Sequence, residues 1–224
     1  MKYILTAGWD DGVADLTERL VRELAAGKRV LWLTSGGSNI PASVQIMDNI
    51  SADLSRNLTV SLADERYGKP GHSESNWSQL MQGSFSGKQA TLLPVLRAGA
   101  SFEETIRDYN QLIEKALAAN DVVVAQLGIG PDGHIAGILP GSPAAAERST
   151  LVTGYQAPPL WRLTLTFPGL RRVTAAYAFA FGKPKQQALA SLQSKSLELD
   201  KQPAQILKEL PEAYMYSDQV GEHV

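Results

Sequence analysis

An imidazole two residues after a carboxylate is a compact unit for moving protons, and Gly128-Ile129-Gly130-Pro131-Asp132-Gly133-His134 carries one in a loop dense with glycine. An imidazole's ordinary pKa, about 6.5, lets it take or give a proton at neutral pH, and Asp132 beside His134 is the kind of group that orients such a base. A structural histidine in a tight turn is the alternative. A second segment, Ser35-Gly36-Gly37-Ser38-Asn39-Ile40-Pro41, offers backbone N–H groups, hydroxyls and a helix start with Pro41 in its first turn. That combination can cradle an anion without a lysine, although a Gly-Gly pair between a strand and a helix also serves as plain chain reversal.

Two further groups supply charge. Asp64-Glu65-Arg66 puts two carboxylates beside a guanidinium, suited to orienting hydroxyls or anions, or else to a helix cap with a surface ion pair. His72-Ser73-Glu74-Ser75-Asn76 comes next, able to order a lid or cap the next helix, with His72 read as a solvated loop histidine. Arg162 and the pair Lys183 and Lys185 are the cations available to meet a phosphate, with solvated lysines as the alternative. A metal is a poor fit, because the chain has three histidines, no cysteine, and His223 lies far along the chain.

The elements that must position these residues alternate. Tyr3–Leu5 reads as a strand. Val13, Leu16, Leu20, Val21 and Leu24 then draw one helical stripe, with Asp10 and Asp11 as capping candidates. Strands are expected at Arg29–Thr34, Leu58–Ala63, Thr91–Val95 and Asp121–Leu127, and helices near Ala42–Ile50, Ser75–Gln82 and Phe102–Ala119. Later come strands at Trp161–Phe167, Thr174–Phe181 and Ala213–Tyr216, and helices near Lys185–Gln193 and Pro203–Glu209. Loops are expected at Gly68–Ser75, Gly137–Ser149 and Gly154–Pro159, none long enough for an interdomain linker. Repeated βα units predict an α/β fold with a mostly parallel central sheet flanked by helices, in a single domain over residues 1–224.

Composition narrows the partners. The 224 residues carry 21 Lys+Arg against 23 Asp+Glu, so a formal charge of −2 leaves no basic footprint for nucleic acid or an anionic membrane. No run of about 18 apolar residues predicts a membrane span, and the short apolar start ahead of Asp10 and Asp11 is unlike a signal peptide. With 44% hydrophobic residues and no cysteine, the chain reads as a globular protein of a reducing cytoplasm acting on a small molecule.

Taken in order, these segments resemble the 6-phosphogluconolactonase family and its wider relatives, the glucosamine-6-phosphate isomerase/deaminases. The likeness spans most of the chain. It rests on Gly128 through His134, Ser35-Gly36-Gly37-Ser38, Asp64-Glu65-Arg66 with His72 through Asn76, Arg162-Leu163-Thr164-Leu165-Thr166, and Gly182 with Lys185. The resemblance implies a modified Rossmann-like, three-layer fold, no metal or organic cofactor, and a sugar-phosphate substrate. It further implies that His134 and Asp132 are catalytic, and that Ser35, Gly36, Gly37, Ser38, Asp64, Arg66, Arg162 and Lys185 bind substrate, Lys183 being the lesser candidate.

The deaminases typically continue His-Ile-Ala-Phe-Asn-Glu-Pro after the histidine, whereas His134-Ile135-Ala136-Gly137-Ile138-Leu139-Pro140 places Leu139 where the glutamate would stand. Arg66 likewise comes after Asp64-Glu65 as in the lactonases. The expected activity is therefore hydrolysis of 6-phospho-D-glucono-1,5-lactone. An amino-sugar-phosphate isomerase or deaminase, and a non-catalytic sugar-phosphate sensor, are the rivals; the sensor would need a DNA-binding module, and a first strand at Tyr3 leaves no room for one ahead of it. Three departures stand out: Asn39 in place of the usual threonine, Ile40 lengthening the loop before Pro41, and no lysine before Pro158-Pro159.

Overall fold

The computed structural model describes residues 1–221, so His223 lies outside the described residues. In chain order the elements are β1 (Lys2–Leu5), α1 (Asp10–Ala25), β2 (Val30–Thr34), α2 (Ile40–Asp48), α3 (Ala52–Ser55), β3 (Leu58–Leu62), β4 (Asp64–Arg66), α4 (Asn76–Gln82) and β5 (Thr91–Leu92). The chain continues through α5 (Phe102–Ala119), β6 (Val122–Gly128), α6 (Pro143–Ala146), β7 (Val152–Ala157), β8 (Leu160–Leu165), α7 (Phe167–Leu170), β9 (Ala175–Phe179), α8 (Gln186–Ser194) and β10 (Glu212–Ser217).

Seven strands form one parallel sheet in the order β1-β10-β9-β6-β2-β3-β5. The period-2 alternation of its side chains builds a core on each face. Leu31 and Leu33 of β2 and Val123, Ala125 and Leu127 of β6 pack with Tyr109 and Ile113 of α5 and Leu189 and Leu192 of α8. On the other face Val30, Trp32, Val122 and Val124 meet Leu16 and Leu20 of α1 and Ile46 and Met47 of α2. The three-layer α/β architecture results from these two cores.

From β2 the chain works outward through β3 to β5, and from β6 it works the other way through β9 to β10. The reversal falls between the neighbours β2 and β6, and in open α/β sheets a crevice opens at the carboxyl ends of strands at such a point. The last strand, β10, inserts between β9 and β1, pairing Lys2–Leu5 with Tyr214–Ser217.

A second, antiparallel sheet joins β4, β8 and β7, with Asp64 opposite Thr164 and Arg66 opposite Arg162. Its β7 corrects the loop expected at Gly154–Pro159. Gly154 reads as a turn residue in sequence, but it is a strand residue that lets α5 come close: a Cβ there would stand 2.7 Å from side-chain atoms of Ile106 and Phe102.

Other boundaries shift for local reasons. Asp10 and Asp11 lie in the first turn of α1 after Trp9, where they complement the helix dipole in place of capping it. The strand expected over Thr91–Val95 pairs only at Thr91 and Leu92, Pro94 having no N–H to give a ladder. Phe167 leaves its strand for α7, capped by Thr166. Residues Pro203–Glu209 wind as a 3-10 helix. Residues 102–119 are helical as read, because Ser101 and Glu104 close a capping box at their start.

Candidate active site

Loops at the carboxyl ends of adjacent strands of the parallel sheet, and the small sheet beside them, enclose a cleft of about 230 Å³. The β2 loop contributes Ser35 through Asn39, the end of β6 and its loop Gly128 through Gly130 and His134, the turn after β9 Lys185, and the small sheet Asp64, Arg66 and Arg162. Every substrate-binding residue expected from the sequence lines this cleft. Asp132 stands behind its histidine.

Asp132 Oδ1 lies 2.6 Å from His134 Nδ1 and also accepts from the His134 backbone N–H at 3.1 Å. Gly130 makes this geometry possible, since a Cβ at that position would fall 2.1 Å from His134 Nδ1. The loop closes on itself through Gly130 N–H to His134 O and Gly133 N–H to Gly130 O, both 3.0 Å, with Gly133 at φ +81. Beyond it, Thr164 Oγ1 accepts from Gly137 N–H at 2.9 Å and Tyr155 Oη donates to Gly137 O at 2.6 Å, tying the histidine loop to the small sheet.

Asp64 and Glu65 are adjacent carboxylates with opposite uses. Asp64 is buried at the cleft wall, where Asn76 Nδ2 donates to its Oδ2 at 3.1 Å and Arg66 Nε stands 4.0 Å away. Glu65 points the other way, wholly buried. It accepts from Arg66 N–H, Asn76 N–H, Trp77 N–H and Ser75 Oγ, and so anchors the start of α4. Burial raises its carboxyl pKa, and those four hydrogen bonds oppose the rise. The expectation of paired carboxylates facing a ligand therefore holds for Asp64 alone.

Three cations converge on the cleft. Arg66 and Arg162 are directly opposite on β4 and β8, an arrangement in which like charges repel. Arg66 is held by Glu74 O at 3.2 Å, and His72 Nε2 lies 2.9 Å from Arg66 O, so His72 orders this loop and does not face the cleft. Lys185 is half-buried. Burial lowers its pKa below the usual lysine value, and Asp218 offsets part of that, while Lys183 is exposed. Asp218 Oδ1 also accepts from Gly182 N–H at 2.9 Å, and Gly182 O accepts from Lys185 N–H at 3.0 Å, so the end of β10 secures the turn that presents the lysine.

Of the buried side-chain polar atoms lacking a hydrogen-bond partner among the described residues, Ser35 Oγ, Asn39 Oδ1, Arg66 Nε, Asn76 Oδ1 and Arg162 Nε all belong to residues lining this cleft. Burying such atoms without a partner is costly. Asn39 and Asn76 line the cleft although no ligand role was expected of either. Their signal in the sequence is only a departure from a loop pattern and a capping candidate.

Fold and cleft together define an α/β protein with a small, cation-lined pocket and a carboxylate-braced histidine at the point where the sheet reverses. The chain belongs to the family described as glucosamine-6-phosphate isomerases/6-phosphogluconolactonase, whose model matches residues 8–215. It is 30% identical over 227 residues to a 6-phosphogluconolactonase of Xylella fastidiosa (strain 9a5c), covering 95% of this chain and 92% of that one. A glucosamine-6-phosphate deaminase of Lactobacillus johnsonii is 26% identical over 99% of this chain and 96% of its own. Among solved structures, a 6-phosphogluconolactonase of Thermotoga maritima superposes with a TM-score of 0.81 at 21% identity, covering 96% and 97% of the two chains.

Proposed function

We propose that this chain hydrolyses 6-phospho-D-glucono-1,5-lactone to 6-phosphogluconate. The observation that carries the reading is the Asp132–His134 pair at 2.6 Å on the wall of a cleft whose other side holds three cations, together with the lactonase relatives that match almost end to end. A carboxylate only accepts, so His134 Nδ1 carries the proton that bonds Asp132, and Nε2 is left with the lone pair. Nε2 takes a proton from water as the water oxygen bonds to the lactone carbonyl carbon. As the bond from that carbon to the ring oxygen breaks, the proton is returned to the ring oxygen. Such a base contributes roughly 10²–10⁴-fold, with orientation supplying the rest.

The phosphate is met by the N–H groups and hydroxyls of Ser35–Ser38 and by Arg66, Arg162 and Lys185, and Asp64 accepts from a sugar hydroxyl. The amino-sugar deaminase reading is not favoured. Leu139, standing where those enzymes carry a glutamate, packs on an apolar cluster and lies outside the cleft lining. We place the enzyme in the cytoplasm, in keeping with its lack of cysteine and with the fact that no helix among the described residues is long and apolar enough to cross a membrane. We also propose that residues 1–224 act as one domain, since Leu163 and Leu165 of the small sheet share a core with Leu127 of the large one.

The test is an assay of freshly generated lactone with purified protein, subtracting spontaneous hydrolysis, beside an assay for ammonia release from glucosamine 6-phosphate. Lactone turnover without ammonia is expected. Ammonia release, or tight 6-phosphogluconate binding with no turnover, overturns the assignment.

A further inference from the structure

A glutamine stands in a buried central strand of the sheet. Gln126 of β6 lies among Val122, Val123, Val124, Ala125 and Leu127 and is wholly enclosed. Burying a carboxamide in such surroundings is costly unless its hydrogen bonds are made, and all those it makes go to one place. Its Nε2 donates to Asn39 O at 3.2 Å, and its Oε1 accepts from Ser43 Oγ at 2.9 Å. Ser43, also fully buried, lies 3.1 Å through its Oγ from the same Asn39 carbonyl and 3.4 Å from Thr34 Oγ1, at the end of β2.

Asn39 is the hinge of the loop that this network holds. It closes the 3-10 turn Gly37–Asn39 and heads α2. Its side chain leans over Gly128, where a Cβ would approach Asn39 Nδ2 to 2.8 Å, so it also touches the strand end that leads to the histidine loop. A carbonyl at a helix start ordinarily serves the first intrahelical bond. Here Gln126 reaches that oxygen from a neighbouring strand, and the single hydroxyl proton of Ser43 serves either the same carbonyl or Gln126 Oε1.

We propose that Gln126 is a positioning residue for the Ser35–Ser38 loop: by holding the Asn39 carbonyl, with Ser43 as bridge, it sets the direction in which that loop offers its N–H groups to the substrate's phosphate. The inference rests on the reading of this loop as the phosphate cradle. Gln126 does not line the cleft, so its effect falls on binding of the phosphorylated end through the loop it holds. A purely structural role in the core would move stability alone.

Gln126→Met keeps an unbranched side chain of similar reach and removes both polar ends, and Ser43→Ala removes the bridge with a smaller perturbation. Each is expected to raise KM for the phosphorylated lactone and Kd for 6-phosphogluconate about tenfold, with kcat and KM for unphosphorylated gluconolactone within about twofold of wild type. The double variant should cost less than the product of the two, since both act on one carbonyl. A lowered thermal midpoint with unchanged KM and Kd in Ser43→Ala overturns the proposal, as does an equal loss on both lactones. If wild type itself does not prefer the phosphorylated lactone, the phosphate reading fails first, and that result is separate from any behaviour of the variants.

Discussion

The two sheets contribute to the cleft in different ways. The inner strands of the seven-stranded sheet, β2, β6 and β9, are buried and mostly apolar, and apart from Gly128 the sheet lines the cleft through the loops beyond its strand ends: Ser35–Asn39, the loop holding the Asp132–His134 pair, and Lys185. The three-stranded sheet offers side chains from within its strands, Asp64 and Arg66 on β4 and Arg162 on β8, while Leu163 and Leu165 belong to the core. A parallel sheet makes a precise frame with little chemistry of its own. An alternating antiparallel sheet can devote every second position to charge.

Four substitutions bear on that division. The largest effect is expected from the proposed proton-transfer group: His134→Ala should lower kcat by at least about 10²-fold while 6-phosphogluconate still binds within a few-fold, measured by steady-state kinetics and calorimetry. Retained turnover would move the chemistry to the small sheet. Next is Glu65→Gln, which sets an NH₂ against donors that all point at a carboxylate. It should cost about 3 kcal/mol in denaturant unfolding, because those groups are buried and left unpaired.

Arg162→Gln should then weaken 6-phosphogluconate binding by roughly 1.5–3 kcal/mol and leave unphosphorylated gluconolactone untouched. Relief of the repulsion with Arg66 should raise the stability of the ligand-free protein by a few tenths of a kcal/mol. Lost stability in place of gained stability would mean that the pair is a structural feature. The smallest change is Gly154→Ala. It should cost about 1 kcal/mol through crowding against Ile106 and Phe102, whose side-chain ends can give way, with KM and kcat unaltered.

Legibility in the sequence divides along the same line. Strands of the large sheet and helices such as Phe102–Ala119 carry their own signals, in apolar runs, stripes and caps, and the loops at their ends carry glycine. In the small sheet only β8 carries such a signal, its alternation marking the strand read at Trp161–Phe167. Three charged residues, 64–66, become a strand only because β8 lies beside them, and Gly154 signals a turn while serving to admit a helix. The site was legible where a residue's role is local, as for Asp132 with His134. It was hidden where the role depends on a distant partner, as for Glu65 at the head of α4, Asn76 against Asp64, and Gln126 beneath Asn39.

The pairing of the first strand with the last has a consequence during synthesis. Lys2–Leu5 is translated well before its sheet neighbour, residues 214–217. Until residues 214–217 are made β1 has no partner in the sheet, and β9, once made, presents an open edge. Asp218, which steadies the turn carrying Lys185, arrives with that same late strand. A nascent chain thus holds its histidine loop and arginines before the turn carrying Lys185 is secured, and the insertion of β10 joins β1 to the sheet and steadies that turn together.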